Sequence, residues 1–237
     1  MVLVQRKFNL SHRVTQELGR AIVCGDYAPG VSFPTEAELC VKFGVSRTAV
    51  REAVKMLSAK GLVSSKPRQG IRVMPQETWN IFDSDLLQWS LEGNPSLTVL
   101  KEFLQMRIAI EPEAAALGAK YARPERKQAI ADTLERMRNS PADSEAARSA
   151  DIDFHIAILY SSENRFYIRM RDFIRTALNV SIRHTNAVAR NYDRVVEDHA
   201  KVFHAINSGN AERAKNTMFL LIDEALGFIE MEIAKSS

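Results

Sequence analysis

The chain has little of what would commit it to a membrane, a disulfide scaffold or a cysteine-held metal. Its only cysteines, Cys24 and Cys40, are too few for a disulfide framework, and both sit among apolar residues at helical spacing, which predicts reduced, buried thiols. No apolar run approaches the roughly 20 residues that span a bilayer. The N-terminus also lacks the layout of a signal peptide, so a cytoplasmic protein with no membrane partner is expected. There is no HExxH pair, no glycine-rich phosphate cradle and no nucleophile with a base at useful spacing, which leaves the common hydrolytic and phosphoryl-transfer chemistries without support. Internal repeats and low-complexity tracts are absent as well.

What remains is an ordinary globular composition on a chain long enough, at 237 residues, for two modest domains with separate cores. Charge divides them. Residues 1–75 hold 12 Lys and Arg against 5 Asp and Glu, whereas the rest holds 20 against 24, so the net charge of +3 conceals a basic front and a mildly acidic back. A nucleic-acid reader joined to a sensing or assembly domain has this distribution.

Within the basic part, Val50, Ala53, Val54 and Leu57 recur at helical spacing and predict a buried stripe. On the opposite face Arg47, Arg51 and Lys55 follow at i, i+4 and i+8, stacking three cations on one exposed ridge. Ser46 stands at the N-cap position. Upstream, residues 35–43 read as a shorter helix with Leu39 and Phe43 facing a core. Downstream, residues 61–63 and 71–73 read as two strands joined by the basic loop 64–70. A further helix, Ser11–Cys24, supports them through Val14, Leu18, Ala21 and Ile22.

These segments have the order helix, helix, turn, basic helix, wing. Ala21–Gly30, Phe33–Leu39, Val45–Thr48, Val50–Ala53 and Gly61–Val63 together resemble the winged helix-turn-helix of GntR-type bacterial transcription regulators. The resemblance implies double-stranded operator DNA as partner. Arg47 and Arg51 would then read bases or phosphates, Ser46 and Thr48 would meet phosphates, and the wing at Gly70 would enter the minor groove. Lys55, Lys66 and Arg68 would add backbone charge.

Residues 76–95 form the boundary. They contain both tryptophans, Trp79 and Trp89, and aromatics this dense are expected to dock rather than to form a free linker. From 96 to 237 every long segment reads helical, at 96–121, 124–138, 143–162, 165–186, 191–208 and 210–234. An all-α bundle follows. The fold class is therefore mainly α: a winged helix-turn-helix in 1–75, an aromatic-rich linker in 76–95 and a helical-bundle effector and dimerisation domain in 96–237.

Two features of the bundle carry chemistry. Asp151 and His155 share one helical face at i, i+4, a spacing that suits a divalent ion or polar ligand and equally a simple surface pair. Arg107 lies among Phe103, Leu104, Met106, Ile108 and Ile110 and needs an anionic partner. Glu111, one turn on, is the partner nearest in sequence.

Residues 107–111, 151–155 and 197–214 resemble the FCD effector domain of the FadR subfamily. That resemblance puts Asp151, His155 and His199 on three of four metal-ligand positions, with Leu221 where the fourth ligand, a histidine, is usual. It implies either zinc or a similar divalent metal held by three protein ligands, or a metal-free pocket in which His155 and His199 donate hydrogen bonds. Arg107 would grip an acidic effector; Arg183 and His184 are further candidates. The expected protein is a homodimeric regulator, a repressor responding to a small organic acid such as an aldonate. A metal-dependent enzyme domain fused to a DNA-binding module, or an effector-independent DNA binder, are the alternatives.

Overall fold

The computed structural model describes residues 10–31, 33–92, 96–186 and 191–236. The chain divides into two compact units, Met1–Glu92 and Gly93–Ser237.

The first unit contains α1 (Leu10–Val23), α2 (Glu36–Phe43), α3 (Arg47–Ala59), β1 (Val63–Lys66), β2 (Gly70–Val73) and α4 (Ser84–Leu91). Its helices begin and end where local chemistry demands. Thr35 and Glu38 exchange side-chain and backbone bonds in a capping box at the start of α2, and Gly44 closes the helix at φ +63°. Ser46 then caps α3 by accepting from the Ala49 amide. The strands pair antiparallel with Val63 opposite Val73 and Lys66 opposite Gly70, so the wing turns on only Pro67, Arg68 and Gln69. Val14, Leu18 and Ile22 meet Leu39, Val50, Ala53, Leu57, Val63, Ile71 and Val73 in one core.

Residues 76–92, expected as linker, pack within this unit. Trp89 is buried in the same core, and its indole Nε1 donates to Gln16 at 2.8 Å. Its ring lies so close to Gly19 that a Cβ there would stand 2.3 Å from two ring carbons; only glycine fits at that point of α1. Lys60, which caps the end of α3, donates to Asp83 and Asp85 at 2.7 and 2.8 Å. Two expectations require correction. Cys24 is exposed and Cys40 only half-buried, because the first lies just past the end of α1 and the second on the flank of α2. The first wing strand starts later than expected and runs on to Lys66, and the second starts one residue earlier, at Gly70, since Ser64, Ser65 and Lys66 pair through their backbones.

The second unit is all-helical among the described residues: α5 (Leu97–Tyr121), α6 (Pro124–Asn139), α7 (Glu145–Ser161), α8 (Arg165–Arg169), α9 (Arg171–Asn186), α10 (Tyr192–Asn207) and α11 (Ala211–Ser236). The expected helix 165–186 is two. Its break falls at Met170, whose amide bonds back to Tyr167 and closes α8. α5 runs through the bundle and packs on α7, α10 and α11, while α7 also meets α6 and α9. Gly118 lets α5 approach α7, since a Cβ there would lie 2.3 Å from the Ser161 hydroxyl. No helix among the described residues is long and apolar enough to cross a membrane.

Candidate functional site

The first unit presents a basic face. Arg47, Thr48, Arg51 and Lys55 are exposed along α3, and Lys66, Arg68 and Gly70 are exposed at the wing tip, where Arg68 and Gly70 take φ of +64° and +71°. Arg72, which the sequence reading passed over, is also exposed, because β2 alternates it between buried Ile71 and Val73. Among the described residues, Arg47, Lys66, Arg68 and Arg72 form no ion pair. Lys55 pairs with Glu52 at 2.9 Å, and the Nε of Arg51 lies 2.9 Å from Glu36.

In the second unit, three helices bring buried ionisable side chains together and two more close the space around them. α5 supplies Arg107 and Glu111, α7 supplies Asp151 and His155, and α10 supplies His199; α11 closes the chamber with Leu221 and Ile222, and α9 with Leu178, Ser181 and Ile182. The free volume between them is about 40 Å³. One water needs roughly 10–15 Å³ of such space, so the chamber admits an ion and one small group.

Both histidines aim Nε2 at Oδ1 of Asp151, each at 3.4 Å. Nδ1 of His199 lies 2.7 Å from the Val195 carbonyl and donates to it. In the neutral ring that leaves the Nε2 lone pair facing a carboxylate oxygen, and this buried Nε2 has no hydrogen-bond partner among the described residues. Nδ1 of His155 stands 2.7 Å from Glu111 Oε2. Each imidazole is thus oriented from behind by an oxygen acceptor, as the ring of a metal-ligating histidine usually is. A tetrahedral ion with ligands at about 2.1 Å holds those ligands about 3.4 Å apart, the separation found between Asp151 and each histidine. The three residues fit a divalent cation.

Charge supports the same fit. Arg107 is buried and gives Nε and Nη2 to Glu111 at 2.5 and 3.2 Å, with Nη2 also 3.0 Å from His155. Burial alone would push the Glu111 carboxyl up, but the Arg107 and His155 charges bring it down to about 2. The buried Asp151 carboxyl is likewise held below the usual range, because the two histidines outweigh its desolvation. His155 is pulled down by burial and by Arg107, yet Glu111 and Asp151 leave it above its ordinary value. With neutral imidazoles the cluster carries one positive and two negative charges, which repels an organic anion. A divalent cation reverses the sign.

The sequence reading thus finds Asp151, His155 and His199 in one set. It gave Glu111 only as a salt-bridge partner for Arg107, whereas the carboxylate bridges Arg107 and His155. Nothing in local spacing announces that, since His155 lies 44 residues further on. Leu221 lines the chamber and brings no donor. α9 carries Arg183 and His184, but their side chains lie outside the described residues.

Residues 10–73 match the profile of bacterial regulatory proteins of the gntR family, and residues 102–224 match that of the FCD domain. The chain belongs to the GntR family of regulators, with an FCD domain. It is similar to the galactonate operon transcriptional repressor of Escherichia coli K12, at 31% identity over 90% of this chain and 94% of that one. It is also similar to an uncharacterized regulator, YieP, of the same organism, at 41% over 67% and 70%. Among solved structures, one of Lar, described as controlling expression of the Listeria monocytogenes agr system, aligns with TM-score 0.57 at 22% identity over 94% of this chain and 97% of that one, which supports the fold. The matched domains and relatives are transcription regulators, not enzymes. Its helix-turn-helix implies DNA as partner and its FCD domain a small-molecule effector.

Proposed function

We infer that this regulator is a homodimeric repressor whose hold on operator DNA is loosened when a small organic acid, a sugar acid such as an aldonate, enters a divalent metal site in the FCD domain. The observation that carries this reading is the buried Nε2 of His199, unpartnered among the described residues and facing the Asp151 carboxylate. A cation there, zinc or a similar ion, is held by Asp151, His155 and His199. Bound, it supplies positive charge and an open coordination position to an acid. Arg107 adds a second positive group at the chamber wall. The repressor role and the aldonate draw support from the galactonate repressor's similarity across nearly the whole chain.

A chamber of about 40 Å³ takes a carboxylate head and not a six-carbon acid. The rest of such a ligand displaces the apolar walls, Leu178, Ile182 and Leu221. Displacement of packed helices is the event through which occupancy shifts the protein between two arrangements of different DNA affinity. On the DNA side, Arg47 and Arg51 read bases or phosphates, Ser46, Thr48 and Lys55 hold the backbone, and Lys66, Arg68 and Gly70 bring the wing to the minor groove. One helix reads too little sequence for specificity, so two helices in a dimer reading a near-palindrome complete the site.

Band-shift titrations on DNA upstream of the gene test the assignment. Arg51→Ala is expected to weaken operator binding and spare acid binding, whereas Asp151→Ala and His155→Ala do the reverse. Unchanged operator affinity in Arg51→Ala contradicts the reading helix.

A further inference from the structure

Of the three cations on the α3 ridge, only Arg51 is held from outside its own helix among the described residues. Its Nε lies 2.9 and 3.2 Å from the two carboxylate oxygens of Glu36, fifteen residues earlier at the first position of α2. Neither terminal nitrogen, Nη1 or Nη2, has a partner among the described residues, and the side chain is 63% exposed. The backbone at Glu36 is fixed by the helix start. The residue follows the Thr35 cap, where Thr35 and Glu38 bond reciprocally, and its negative charge is favoured by the helix N-terminus. Arg47 one turn earlier has no such brace, and Lys55 pairs only with Glu52 on its own helix.

A guanidinium offers donors on two edges. With Nε taken, the edge left is the pair of terminal nitrogens, the edge that bonds O6 and N7 of guanine side by side. A free arginine on the same helix swings equally well to a phosphate. The carboxylate also carries a cost near a polyanion, since it repels phosphates and lowers sequence-independent affinity. A device that gives up general affinity while aiming one fork suits base selection.

We propose that Glu36 is a positioning residue for sequence selection, holding Arg51 by Nε so that its terminal nitrogens read one guanine in each half-site. The proposal rests on α3 being the helix that enters the major groove. Full-length wild-type protein, Glu36→Gln and Arg51→Ala are each used to select from a pool of randomised duplex DNA. Anisotropy titrations then follow on the selected site and its single-base variants. The wild type is expected to prefer guanine at one position per half-site by about tenfold. Arg51→Ala is expected to lose that preference. Glu36→Gln, with an unchanged melting temperature, is expected to lose most of it at the same position, keep the other positions and bind unrelated DNA more tightly.

If Arg51→Ala loses the guanine while Glu36→Gln keeps it, Arg51 reads DNA and Glu36 does not aim it, so the proposal falls and the reading helix stands. The same holds if Glu36→Gln merely tightens the selected site with its base profile intact. If neither variant alters the profile, both the proposal and the assignment of α3 fail.

Discussion

Nδ1 of His199 lies 2.7 Å from the carbonyl oxygen of Val195, one turn earlier on α10. In the neutral ring this bond takes the one proton to the wall of the bundle and turns the Nε2 lone pair toward Asp151 Oδ1, 3.4 Å away. Two acceptors facing each other across a buried gap repel unless a cation lies between them. A proton or a metal ion does this, and the matching approach of His155 from α7 favours the ion.

Replacing His199 with leucine separates these roles. His199→Leu removes a buried acceptor and keeps side-chain volume, so the metal-free protein is expected to melt within a few degrees of the wild type. Zinc binding is expected to fall from one ion per chain to none retained through equilibrium dialysis. Full zinc retention would show that the ion, if bound, sits elsewhere.

Glu111 gives the acid limb of stability its sign. Its carboxyl is at about 2 in the folded chain against an ordinary 4.5, so its contribution is present above pH 4.5 and is lost as pH falls from there toward 2. The amount is on the order of 3 kcal/mol. Glu111→Gln is expected to flatten that limb in denaturant titrations between pH 5 and pH 3. At pH 7 it leaves buried Arg107 without its counter-charge and costs roughly 3 kcal/mol. Zinc affinity is expected to drop about 10- to 100-fold, because His155 exchanges a charged acceptor behind it for a neutral one.

Leu221→His tests the open position. Leu221 lines the chamber beside Asp151, His155 and His199, so an imidazole there adds a fourth donor. Calorimetry is expected to show zinc bound at least tenfold more tightly and organic acids bound more weakly, since the position they would use is filled. Equal zinc affinity in the two proteins would place Leu221 away from the ion.

Gly19→Ala tests the docking of α4. The added Cβ would stand 2.3 Å from ring carbons of Trp89, and overpacking of this kind costs about 1–3 kcal/mol. A thermal melt is expected to show that loss for Gly19→Ala, and an unchanged melting temperature would mean that the indole does not rest on α1.

Much of this was legible in the sequence because the signals were local. The stripe Val50, Ala53, Val54 and Leu57, the cap at Ser46 and the alternation Ile71, Arg72, Val73 each specify an element within a few residues. The i, i+4 pair Asp151 and His155 could be read the same way, and the family resemblance added His199. What escaped reading depends on contacts distant along the chain. Trp89 belongs to the core of the first unit because Gly19, seventy residues earlier, leaves room for its ring. Glu111 serves His155 as well as Arg107 because α5 and α7 cross at that height. Cys24 and Cys40 looked buried by their neighbours' character, yet the end of α1 leaves the first exposed and the flank of α2 leaves the second only half-buried.

The central claim is that what binds between Asp151, His155 and His199 governs how tightly α3 and the wing hold DNA. The most direct measurement is fluorescence anisotropy on the protein's own upstream duplex, titrating an aldonate against zinc-loaded wild type and His199→Leu at one fixed salt concentration. The account predicts that the acid weakens wild-type binding at least tenfold and leaves the variant's binding unchanged. Release of the duplex by the acid to the same extent in both proteins would contradict it.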